Sequence, residues 1–184
     1  MSTAQRSALV VIDMINTYDH ADADLLVGSV RRALPGVRAA LRSAREAGPD
    51  AADVIYVNDN FGRWRSHHDE LAATALKGPY AGLVEPVLPD AESLFVVKAR
   101  HSIFFQTPLE YLLQQNGVTR VALCGQVTEQ CVLYSALDAH IRHLDVTVVR
   151  DAVAHIQPDL AEAALRMMER NMGAALVDAA DLVW

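Results

Sequence analysis

Short runs that are apolar throughout recur along this chain, and helix-like segments fill the intervals between them. The runs are 8–13, 53–57, 94–98, 119–124, 145–149 and 174–177; the segments are 24–47, 66–76, 107–116, 128–142 and 158–171. A strand with one wet face alternates apolar and polar residues. A run such as ALVVI (8–12) does not alternate, and suits a strand covered on both faces. The β-α-β-α order therefore predicts a doubly wound α/β sheet. With 184 residues, 52% of them hydrophobic, the chain can build one sizeable core, and we expect one domain over 1–184.

Local signals sharpen the boundaries. Pro35 lies inside the first helical pattern and is expected to kink or split it. Gly48-Pro49-Asp50 ends that pattern, and Asn116-Gly117 ends the third. Thr107-Pro108 opens the third, and Glu110 three residues after Thr107 predicts a capping box. The stretch 77–93 holds three prolines and reads as a long surface loop.

Charge narrows the function. The net charge of −7 and the absence of a basic run argue against a nucleic-acid partner. No stretch reaches the ~18 apolar residues of a membrane span, and the apolar run near the start is short and ends at Asp13. We therefore expect a cytoplasmic protein with no membrane partner. The two cysteines, Cys124 and Cys131, make a disulfide framework unlikely on composition. Cys124 closes an apolar run and is expected to be a buried structural thiol.

Cys131 is different. It follows the apolar run VALC (121–124) and a turn containing Gly125, in the first turn of the next helix. That geometry exposes a thiol at the carboxyl edge of a sheet, where a helix N-terminus favours thiolate. Asp13 after ALVVI and Lys98 after LFVV (94–97) end two other apolar runs, and ligands of open α/β sheets bind at such ends. Lys98 is one of two lysines in a chain that otherwise uses arginine, and a compact ammonium can sit beside both a carboxylate and a thiol. Asp13 as a helix cap and Lys98 as a solvent-reaching stem are the plainer readings.

The segments VVIDMINTY (10–18), VVKARHSIFFQTPLE (96–110) and CGQVTEQCV (124–132), in this order, resemble the isochorismatase-like cysteine hydrolase superfamily, which includes nicotinamidases and N-carbamoylsarcosine amidases. The resemblance runs from Ala8 to about Val177. It implies a three-layer α-β-α fold with a six-stranded parallel sheet and a catalytic triad of Asp13, Lys98 and Cys131. It also implies a cis peptide between Gln126 and Val127, and an oxyanion hole from the Val127 and Cys131 amides. Thr128 is expected to cap the helix, with Glu129 pointing outward.

Metal-binding relatives carry Asp-x-His after the second strand, where this chain reads VNDNFGRW (57–64). Asp59 is present, but Phe61 stands at the His position. His67 with His68, and His140 with His143, lack an evident partner set, so we expect no metal and no other cofactor. Asn16, Asn58, Asp59, Asn60, Phe61 and Trp64, with Arg63, are candidates for the substrate pocket. A cysteine nucleophile implies the amidase branch, acting on a small-molecule amide or ureide, in a homo-oligomer (dimer or tetramer). The alternative is a redox or binding protein that uses Cys131 as a reactive thiol.

Overall fold

The computed structural model describes residues 6–61 and 67–184. Six strands form one sheet in the order β3-β2-β1-β4-β5-β6, every pairing parallel. They are β1 (Arg6–Ile12), β2 (Ala52–Asp59), β3 (Leu94–Lys98), β4 (Val118–Gln126), β5 (Asp145–Ala154) and β6 (Ala175–Val177). Each overlaps one of the apolar runs. Between them lie α1 (Ala23–Ala47), α2 (His68–Leu76), α3 (Ala81–Val84), α4 (Leu109–Gln115), α5 (Leu133–Ile141) and α6 (Pro158–Met172). Among the described residues no helix is long and apolar enough to cross a membrane.

The period of two along each strand sorts side chains into two cores. From β1, Leu9 and Val11 join the core under α1, whereas Ala8, Val10 and Ile12 join the core under α4, α5 and α6. That produces the three layers. Cys124 lies in the first core, fully buried, and Cys131 lies in the second, so the two thiols are on opposite faces of the sheet.

Two expectations are corrected here. Helix α1 is continuous through Pro35. Pro35 is exposed, so the carbonyl it leaves unbonded faces water, while Val30, Ala33, Val37 and Ala40 on the other side are buried against the sheet. Gly36 lets the helix approach closely: a Cβ there would lie 2.3 Å from the Asp151 carbonyl oxygen of β5. Nor is 77–93 a plain loop. It contains α3 and a 3-10 turn (Glu85–Val87) that bury Leu83, Val84 and Val87, and the Tyr56 hydroxyl donates to the Val87 carbonyl at 2.9 Å. Its prolines interrupt an amphipathic segment that still has apolar residues to bury.

The strand order reverses between β1 and β4, the position at which open α/β sheets place a ligand crevice beyond the carboxyl ends. Asp13 follows β1 and the Gly125–Cys131 turn closes β4, so both edges of the crevice carry polar groups from the sequence motifs.

Candidate active site

Asp13 leaves β1 with a left-handed backbone, φ 55°. That turns its carboxylate across the sheet edge. Oδ2 meets Lys98 Nζ at 2.7 Å, and Oδ1 accepts the Asp59 N–H at 2.8 Å. The Lys98 side chain is 2% exposed. Its Nζ lies 3.7 Å from Cys131 Sγ, and the Asp13 charge bears on the same thiol. Two side chains from strand ends and one from the turn after β4, far apart in sequence, thus meet in one buried cluster.

The turn that carries Cys131 is built by close approach. Gly125 has φ 110°, and a Cβ there would stand 2.2 Å from the Ile12 carbonyl oxygen, so only glycine lets β4 pass β1 at this level. Gln126, buried, donates from its side chain to the Asp13 carbonyl. The Gln126–Val127 peptide is cis. Beyond it one π turn (Thr128–Val132) precedes α5, with the Gln130 and Val132 amides both donating to the Val127 carbonyl. Such turns are frequent at functional sites. The Val127 backbone favours ionisation of the Cys131 thiol.

Thr128 does not cap this helix: its hydroxyl donates to the Ala154 carbonyl at 2.9 Å. Glu129 does not point outward either. Its Oε1 accepts the Ile156 and Gln157 amides at 2.9 and 2.7 Å, at the start of α6. Sequence separation conceals this partner, because Ile156 lies 27 residues later and only the sheet brings it near. The capping box at Thr107 also fails. Glu110 pairs with Arg142 at 2.7 Å, a stronger charged partner than a backbone amide, and Thr107 Oγ1 accepts the Leu109 amide.

Burial dominates the electrostatics. It pushes the Cys131 thiol up to about 12, and the Asp13 charge adds to this, against Lys98 and Val127. The thiolate expected from the helix N-terminus and the lysine is therefore not the resting form. Burial likewise raises Asp13 above the usual carboxylate range, with Lys98 opposing it. Burial pulls Lys98 down, but Asp13 and Cys131 more than offset it, and it stays a cation. A protonated thiol beside a desolvated carboxylate can pass its proton from sulfur to oxygen.

A cavity of about 420 Å³ opens over the cluster. Asn16, Asp59 and Phe61 line it. Asn58 and Asn60 do not: both are buried, and the Asn58 amide accepts from the Ile15 N–H at 2.9 Å and donates to the Ile15 carbonyl at 3.0 Å, holding the loop after β1. Arg63 and Trp64 lie outside the described residues. The wall also contains His20, Asp22, Arg100, His101, Gln130 and Ile156, which sequence reasoning missed. His101 belongs to the 96–110 segment, three residues past Lys98; its Nδ1 is 3.6 Å from Cys131 Sγ.

The carboxylate of Asp59 is engaged locally. Asp59 Oδ1 accepts the Phe61 N–H at 2.6 Å, and among the described residues no group of three or more His, Cys, Asp or Glu side chains could hold an ion. His68 instead sits beside Asp69 and edge-on to the Phe95 ring, and His67, His140 and His143 are exposed.

A family model described as the isochorismatase domain matches residues 7–181. A probable inactive nicotinamidase of Arabidopsis thaliana is 32% identical over 178 residues, 92% of this chain and 90% of its own length. The ureidoacrylate amidohydrolase of Enterobacter sp. (strain 638) is 30% identical, covering 92% of this chain and 84% of its own. Among solved structures, the N-carbamoylsarcosine amidase of Thermoplasma acidophilum superposes with a TM-score of 0.73 at 26% identity, over 97% of this chain and 99% of the other.

Proposed function

The chain belongs to the isochorismatase family, and on that premise we propose that it is a hydrolase of carbon–nitrogen bonds other than peptide bonds, cleaving a small amide or ureide through a thioester on Cys131. The observation that carries this reading is the buried contact of Asp13, Lys98 and the Cys131 thiol at the floor of the cavity.

In the proposed cycle Asp13 takes the Sγ proton and the sulfur attacks the carbonyl carbon. Lys98 offsets the charge that then resides on sulfur. The Val127 and Cys131 amides receive the oxyanion; one such donor is worth about 10²–10³ in rate. Asp13 returns its proton to the departing nitrogen, which leaves as ammonia or an amine. Water then attacks the thioester, Asp13 accepts its proton, and the acid departs as the thiol re-forms. No step passes through a metal.

The test is ammonia release from a panel of amides and ureides, with Cys131→Ala as the control. No turnover of any member would reject the reading. The rival, a redox thiol, has no use for a carboxylate base. It predicts that Asp13→Asn leaves the reactivity of Cys131 toward peroxide intact. The relative described as probable inactive makes a non-catalytic member a possibility within the family; the complete Asp13–Lys98–Cys131 cluster here favours catalysis.

The remaining parts of the proposal are a single domain over 1–184, a cytoplasmic location, and a homo-oligomer. Sedimentation yielding only a species of one chain's mass, 20.1 kDa, would refute the last.

A further inference from the structure

The Cys131 thiol has a neighbour that Asp13 and Lys98 do not account for. His101 Nδ1 lies 3.6 Å from Sγ, within reach for a hydrogen bond to sulfur. His101 is exposed, whereas Asp13 and Lys98 are buried, so the imidazole meets the sulfur from the open part of the cavity.

Its position is built. The ring packs against Tyr134, centroids 5.6 Å apart and tilted by 49°. The next residue, Ser102, donates its hydroxyl to Asp138, and the Ile103 amide donates to Ser135 Oγ at 3.1 Å. Arg142 in turn holds Asp138 at 2.9 Å. Tyr134, Ser135 and Asp138 follow Cys131 at three, four and seven residues, the spacing of one helix face. The face that carries the nucleophile therefore also holds the histidine against it.

The carboxylate, by contrast, is heavily engaged. Lys98 takes Oδ2 and the Asp59 amide takes Oδ1 before the thiol is counted. We propose that His101 is a second acid–base catalytic residue of this site, parallel to Asp13. Unprotonated Nδ1 accepts the proton of Cys131: the S–H bond breaks, an N–H bond forms, and a thiolate is left between imidazolium and the Lys98 ammonium. The imidazolium then returns that proton to the nitrogen expelled from the tetrahedral intermediate, and the ring is neutral again. The role in the second half of that step rests on the amidase reading; the thiol–imidazole exchange does not.

The charged and titratable groups that share the cavity with the ring are Asp13 from the end of β1, Asp59 from β2, Asp22 and His20 before α1, and Lys98 and Arg100 on its own segment; Tyr134 from α5 packs on the ring.

The experiment is alkylation of Cys131 by iodoacetamide across pH, in the full chain, for wild type, Asp13→Asn, His101→Gln and the double variant. It needs no substrate, so a failed amide panel would leave it interpretable. Asp13→Asn is expected to keep an alkylation limb rising between about pH 5 and 8, where histidine changes charge. The double variant is expected to lose that limb, with a fall of about tenfold or more at neutral pH. His101→Tyr keeps an aromatic ring against Tyr134 without the imidazole, and is expected to behave as His101→Gln. A double variant indistinguishable from Asp13→Asn, or a His101→Tyr profile identical to wild type, would overturn the proposal.

Discussion

Cys131 is governed by two opposing charges and by burial, and each can be removed separately. Lys98→Met keeps an apolar stem but removes the cation, so the thiol should become harder to ionise than its value of about 12. Alkylation at fixed alkaline pH should slow, and an unchanged rate would remove Lys98 from the tuning of sulfur. Asp13→Asn removes the charge that opposes thiolate. The thiol should ionise more easily while turnover falls by about 10²–10⁴, the usual share of a positioned proton carrier. Steady-state kinetics beside alkylation separates the two effects. Cys131→Ala should abolish hydrolysis with little change in unfolding, since the lost group is one small buried atom. Asp13 and Lys98 were legible because each follows an apolar run at a strand end, and Cys131 because it opens the helix after an apolar run and a glycine turn. Asn58 was not: it ends a strand as they do, but its amide turns inward to the Ile15 backbone. Residue type and position alone do not distinguish those two directions.

The element that carries Cys131 is tied to a neighbour. Glu129, two residues before Cys131, holds the turn that leads into α6 through the Ile156 and Gln157 amides. Glu129→Ala leaves both amides without that acceptor and should lower stability by about 1–3 kcal/mol, read by urea unfolding. Because Ile156 lines the cavity, the same variant should also raise KM; a stability loss with wild-type kinetics would confine Glu129 to a structural role. Gly125 is stricter. Any side chain there meets the Ile12 backbone at 2.2 Å on a left-handed φ, so Gly125→Ala should either fail to fold or fold without activity. Helix and strand positions were legible from periodicity, because amphipathic faces are local. The caps were less so: Thr128 and Glu110 each found a tertiary partner in Ala154 and Arg142 that outcompeted the local one.

Across the whole molecule, two opposed cores hold two buried thiols. Burial pushes Cys124 from an ordinary 9.0 up to about 12. An acid whose folded value is raised loses its proton first in the unfolded chain, so stability should fall as pH climbs from 9.0 toward 12. Cys131 adds to the same slope. Cys124→Ala should flatten it, measured by urea unfolding at about pH 8 and about pH 10; an identical slope would place the effect elsewhere. Gly36→Ala would press a methyl group into the Asp151 carbonyl and part α1 from β5, at about 1–3 kcal/mol or more. By itself the sequence determined the alternation of strands and helices, the parallel sheet, and the strand-end Asp, Lys and Cys, because these follow from hydrophobic period and from which residues can end a buried strand. Only the tertiary structure decided what stands around them. The order β3-β2-β1-β4-β5-β6 sets β1 beside β4, and with it Asp13 beside Cys131. The packing of 101–107 on one face of α5 brings His101 to the sulfur. The protonated resting thiol likewise depends on the depth of burial and on a carboxylate 118 residues away, neither of which is a property of any short stretch of chain.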